Sequence, residues 1–315
     1  MCGRFALAMQ RAEIRALPGY PQLNVQGWVG EDNFMPRYNI APNTQAPVIR
    51  RTPGDAATTK KPPSSAEQQP PASSSASEEP AADSGPVDLV MHTMRWGIKY
   101  GKERGAQAIN ARSENLVEGV GMWNRFRGRN RCIVVCQGYY EWQTKGKNKL
   151  PHFIRHSSGD KVMLMAGLYE SVVEQDGSEP TYTFAIVTTD ASKGLSWLHD
   201  RQPVILSSVE DVNRWLDTSS QTWSAELAKL LHPWEDAKAP LQCYQVPKEV
   251  GKVGAESPTF IQPLSTRKDG IQAMFAKQRS KQEATTTAKR KRESMSPGKS
   301  DEPQTDEKKV KREYS

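Results

Sequence analysis

The sequence predicts an α+β protein, and three observations carry that prediction. Apolar or alternating runs with β-branched and aromatic content are the commonest pattern. APVIR (46–50), DLVMHTMRWG (88–97), RCIVVCQGYYEW (131–142), HFIRH (152–156), KVMLMAGLYE (161–170) and TYTFAIVTT (181–189) all read as strands. Helical spacing is confined to VEDVNRWLD (209–217) and SAELAKLLH (224–232). The strands do not alternate regularly with helices, as a doubly wound parallel sheet requires.

The 315 residues allow one large domain or two ordinary ones, but only 36% of them are hydrophobic and the mean hydropathy is −0.71. Part of the chain is therefore expected to stay outside any packed core. Residues 50–86 are rich in Pro, Ser, Ala and charge and hold no aromatic or large aliphatic residue, so they read as a disordered insertion. A second such stretch runs from 277 to 315 and contains the basic clusters KRKRE (289–293) and KKVKRE (308–313). The expected organisation is one domain over 1–276, with the insertion looped out, and a basic tail.

The net charge of +7 suits a polyanionic partner, although the tail supplies part of it. No apolar run approaches the length of a membrane span, and the chain reads as intracellular with reduced thiols. The four cysteines, Cys2, Cys132, Cys136 and Cys243, form no CxxC pair, so no metal site is expected. Cys132 and Cys136 lie four apart on a predicted strand and read as buried apolar thiols. No phosphate-cradling glycine loop is present, and no cofactor is expected.

The amino terminus reads MCGRF. If Met1 is removed, Cys2 carries an α-amine and a thiol on adjacent carbons. The amine has an ordinary pKa near 7.7–8.0, so a fraction of it is neutral and nucleophilic at neutral pH. Attack on an aldehyde forms a Schiff base, and the thiol can then close a five-membered thiazolidine ring. The competing possibility is a small buried cysteine.

MCGRF, PRYNIAP (36–42), MRWG (94–97), INARSEN (109–115), CIVVCQGYYEW (132–142), MLMAGLYE (163–170), IVTTDAS (186–192) and LHDRQPVIL (198–206) occur in that order. Together they resemble the SRAP (SOS response-associated peptidase) family, from Cys2 to about Pro263 with the insertion set aside. The resemblance implies a mainly antiparallel sheet or open-barrel core with flanking helices. It implies removal of Met1, by thiol autopeptidase action or by an aminopeptidase, then covalent capture by Cys2 of a ring-opened abasic site in single-stranded DNA, with lyase-like chemistry. It makes Glu141 a general acid/base, His199 the group that contacts the opened sugar, and Asn110 the amide that holds Cys2 or the sugar oxygen. Arg4, Arg112 and Arg201 are expected to clamp phosphates. Trp96 is expected either to stack a base or to belong to the core.

Two departures from the family pattern stand out. Gln202 replaces a common Met, and WGIKYGKERG (96–105) lacks the usual Pro and second Trp, with Tyr100 as a substitute. Near the tail, Ile271, Met274 and Phe275 form a degenerate PCNA-interacting pattern, with Lys268 where Gln is usual. The chain is expected to act as a monomer in the nucleus. A class II glutamine amidotransferase also begins Met-Cys-Gly, but the Asn-Gly dipeptide of that family is missing. A non-catalytic module for modified DNA is the remaining alternative.

Overall fold

The computed structural model describes residues 2–52, 89–101, 105–173, 178–235, 240–266 and 278–279. Chain contacts divide it into two units, Met1–Ser265 and Thr266–Ser315. All the elements that follow lie in the first unit. Ile271, Met274, Phe275 and both basic clusters lie outside the described residues.

Fifteen strands and four short helices occur among the described residues. The amino-terminal part holds β1 (Arg4–Leu7), α1 (Arg11–Arg15), β2 (Val25–Val29), β3 (Arg37–Ile40) and β4 (Gln45–Arg51). The middle holds β5 (Leu89–Trp96), β6 (Ile98–Lys99), β7 (Gln107–Ala108), β8 (Asn110–Arg112), α2 (Ser113–Glu118), β9 (Arg131–Cys136), β10 (Gly138–Lys145), β11 (Asn148–His156), β12 (Met163–Val172) and β13 (Thr181–Asp190). The last part holds β14 (Arg201–Pro203), α3 (Val209–Leu216), α4 (Ala225–Ala228) and β15 (Leu241–Gln245).

The α+β class and the mainly antiparallel pairing are as expected. β13, β12, β9, β4 and β5 are antiparallel neighbours in that order. β5 then pairs β13 in parallel, through Thr183↔Arg95 and Phe184↔Trp96, which closes the five strands into a barrel. Closure removes an open edge whose N–H and C=O groups would otherwise need partners. A second sheet of order β15-β11-β10-β1-β3 is antiparallel throughout.

Two boundaries differ from the sequence reading. Residues 131–142 are two strands in different sheets, with Gln137 at the crossing. Its N–H donates to Ala6 O at 2.8 Å and its side chain accepts the Ala8 N–H at 2.6 Å. An apolar run alone cannot reveal such a change of sheet, because both halves are buried. β4 runs one residue beyond the expected strand, to Arg51, which the sequence reading places in the insertion, and the Arg50 guanidinium donates to His92 Nδ1 at 3.1 Å.

Every residue of β9 is buried, because the strand is covered on both faces. α3 lies against it, with the Trp215 indole N–H donating to Cys132 O at 2.9 Å. Ser208 caps α3 by accepting the Asp211 N–H at 3.1 Å. At the other end the buried Arg131 donates to Trp215 O at 2.6 Å and also to Asp217 O. That places a cation on carbonyls the helix leaves unpaired. α4 is a single turn, shorter than the helix expected over 224–232.

β1 is an interior strand, held by β10 on one side and β3 on the other. The amino terminus is thereby tied to the sheet. Cys2 sits just ahead of β1, at the seam between the second sheet and the barrel.

Candidate active site at the amino terminus

β1 pairs β10 with Arg4 opposite Tyr140. One residue further, Gly3 comes level with Glu141, so Cys2 arrives beside the middle of β10, where the carboxylate stands. From the barrel side, β8 runs parallel to β13 with Asn110 opposite Ile186. Asn110 Nδ2 donates to Cys2 O at 3.0 Å, which joins barrel and sheet at the terminus. β14 pairs β13 with Arg201 opposite Asp190, and the turn before it carries His199. His199 Nε2 lies 3.9 Å from Glu141 Oε1. The four residues assigned to chemistry, Cys2, Asn110, Glu141 and His199, therefore come from four separate segments.

Cys2 is fully buried, and its thiol contacts Arg4 O at 3.9 Å. Burial, reinforced by the Glu141 charge, pushes the thiol pKa far above its ordinary value. The sulfur is thus a neutral thiol at physiological pH, not a thiolate. Glu141 is buried too, and desolvation raises its carboxyl pKa while the nearby His199 opposes the rise. Its Oε1 accepts the Trp142 N–H at 3.2 Å. A carboxyl in this setting can hold or release a proton nearer neutrality.

His199 has two competing contacts at one nitrogen. Nδ1 is 3.0 Å from the Arg201 N–H and 2.6 Å from Asp200 Oδ1. The first needs an unprotonated Nδ1 and therefore places the neutral ring's proton on Nε2, towards Glu141. The second needs a proton on Nδ1 and suits the imidazolium. The ring thus has a partner in either charge state.

The residues assigned to DNA separate. Arg112 is exposed, and its guanidinium makes no hydrogen bond or ion pair with a described residue. Arg201 is buried instead. It grips both Glu114 oxygens, Asp190 Oδ1 at 2.7 Å and Thr188 O at 2.8 Å, so both terminal nitrogens of its guanidinium are committed within the protein. Arg4 is half-buried and donates to Asn39 Oδ1 at 3.0 Å and Val250 O at 2.9 Å. Trp96 is core: it is fully buried between Phe5 and Phe184, at ring distances of 5.1 and 6.3 Å. Its indole N–H donates to Ile109 O at 2.9 Å, which sets β8 rather than a base.

In sequence, Gln202 stands out only as a departure from the family pattern. It is fully buried, and its side chain accepts the Ser192 N–H at 2.8 Å, which closes the loop that carries His199. The carboxylates that hold Arg201 had no local signal, because Glu114 is 87 positions away in sequence.

The model of the SOS response associated peptidase (SRAP) family matches residues 1–253. The chain is 35% identical to the abasic site processing protein YMR114C of Saccharomyces cerevisiae, over 90% of this chain and 73% of that one. It is 26% identical to the abasic site processing protein HMCES of Gallus gallus, over 84% and 78%. It is 28% identical to the abasic site processing protein YoqW of Bacillus subtilis, over 83% and 99%. A crystal structure of a Bacteroides thetaiotaomicron protein has the same fold, with a TM-score of 0.58 at 21% identity, over 83% of this chain and 99% of that one. With the family model covering most of the chain, this protein belongs to the SOS response associated peptidase family.

Proposed function

We propose that this protein responds to DNA damage by capturing abasic sites in single-stranded DNA as a covalent thiazolidine on Cys2. Relatives in yeast, chicken and Bacillus carry the name abasic site processing protein. The observation that carries the reading is the convergence of Asn110, Glu141 and His199 on an amino-terminal cysteine.

The first step is hydrolysis of the Met1–Cys2 peptide bond, which the buried Cys2 thiol and Glu141 are suited to perform as an autopeptidase. The freed amine then attacks the sugar aldehyde. It acts before sulfur, because burial keeps the thiol protonated while the ordinary α-amine pKa leaves some neutral base. The carbinolamine loses water as Glu141 delivers a proton to the departing hydroxyl. The thiol adds to the imine carbon and its proton passes to nitrogen. The net change is amine, thiol and aldehyde to thiazolidine and one water. His199 supplies a proton to the ring oxygen as the sugar opens, and Asn110 holds the Cys2 backbone throughout.

The test is incubation with a single-stranded oligonucleotide bearing one abasic site, followed by denaturing electrophoresis and mass spectrometry of the amino-terminal peptide. Wild type should give a stable adduct on Cys2 lacking Met1, and Cys2→Ala should give none. A stable adduct on Cys2→Ala removes the thiazolidine, and glutamine hydrolysis without DNA capture would favour the amidotransferase alternative. The clusters at 289–293 and 308–313 suit a nuclear address, tested by deleting 288–315 and following the protein's location. A contact to PCNA through Ile271, Met274 and Phe275 is tested by calorimetric titration of a 262–280 peptide, with Phe275→Ala as control.

A further inference from the structure

We propose that Trp197 is the platform on which a nucleobase neighbouring the abasic site stacks. This rests on the abasic-site reading above and deepens it. A lesion that has lost its base offers nothing of its own to stack. A protein that grips it must hold the phosphates and the adjacent bases.

Of the eight tryptophans, Trp197 alone is exposed, with 50% of its surface open. It stands two residues before His199. Its ring meets His152 nearly perpendicularly, at 5.3 Å and 83°. His152 is directly opposite Glu141 in the β10–β11 register. An exposed aromatic surface is therefore one residue removed from the buried acid on one side and from the histidine turn on the other.

The ring is also held in place. Its indole N–H donates to Gly194 O at 2.8 Å. The loop is anchored by buried Leu195 and Leu198 on either side, by Ser196 N to Ser192 O at 2.9 Å, and by Ser192 N to the Gln202 side chain at 2.8 Å. A fixed ring loses little freedom when a base covers it. Lys193, exposed in the same loop, is a cation available to the adjoining phosphate. The stacking role, one of the two expectations for Trp96, thus passes to a residue with an accessible ring.

The experiment measures single-turnover crosslinking of two single-stranded oligonucleotides. Each has one abasic site, flanked either by ordinary nucleotides or by base-less tetrahydrofuran residues. Wild type, Trp197→Ala and Trp197→Phe are compared, with thermal melting as a check on folding. Trp197→Ala should lower the rate at subsaturating DNA about tenfold on the base-flanked strand, the scale of one lost base–aromatic stack. It should leave the rate at saturating DNA unchanged, and wild type and variant should be equal on the base-less strand. Trp197→Phe should recover most of the loss. Equal rates on the base-flanked strand would overturn the proposal. So would an equal loss on both strands, a loss in the saturated rate, or a loss Phe does not restore, since each points to support of the His199 loop. If wild type crosslinks neither strand, the abasic-site reading itself fails and Trp197 falls with it.

Discussion

Arg201→Ala should destabilise the fold, whereas a phosphate clamp at that position would leave stability untouched and weaken DNA binding. The guanidinium is 8% exposed and holds Asp190 Oδ1 at 2.7 Å, Thr188 O at 2.8 Å and both oxygens of Glu114. Breaking a fully buried ion pair costs about 3–5 kcal/mol. Here the abandoned carboxylates are 48% and 80% exposed and can rehydrate, which moves the loss to about 2–3 kcal/mol. For a domain of this size each kcal/mol lowers Tm by about 2–4 °C, so the variant should melt about 4–12 °C lower. The sign with pH follows from Glu114, whose carboxyl is held below its ordinary pKa by its hydrogen bonds to Arg201. Stability from a depressed carboxyl is present above its unfolded pKa and is lost as pH falls through the folded value. The gap between wild type and variant should therefore narrow in acid. The assay is thermal unfolding across pH, alongside anisotropy with undamaged single-stranded DNA. An unchanged Tm with weakened DNA affinity would refute the buried-anchor account.

Glu141→Gln should slow crosslinking about 10²-fold or more, the usual share of a general acid, with little change in DNA affinity. Because burial raises its carboxyl pKa, folding favours the protonated form, and stability is lost as pH rises through the folded value. The Gln variant should match the wild-type Tm below about pH 4 and exceed it at alkaline pH; an equal gap at every pH would contradict this. Arg112→Ala should weaken single-stranded DNA binding, reduce the salt slope by about 1 and leave Tm unchanged, as titrations at several salt concentrations would reveal. Trp96→Ala should cost about 3–5 kcal/mol, while Trp96→Phe should stay folded and bind DNA as wild type does, as melting and anisotropy would show.

The sequence by itself determined the strand-rich class and most strand positions. Those readings rest on local pattern, whereas Asn110, Glu141 and His199 are named as candidates only by the order of motifs that resembles the family, and Cys2 alone states its chemistry through its residue type and place. Tertiary structure decided which arginines are free. Arg4, Arg112 and Arg201 look alike in sequence, since a guanidinium suits phosphate and carboxylate equally, and only the fold supplies Glu114 and Asp190 to Arg201 and leaves Arg112 open. It also decided which tryptophan is accessible. The parallel pairing of β5 with β13 buries Trp96 in the barrel seam, and an interaction between residues so far apart along the chain leaves no local trace. The division of residues 131–142 between two sheets is hidden for the same reason. Burial on both sides erases the alternation from which a face is read, and the Gln137 crossing is set by partners in β1 and just beyond it.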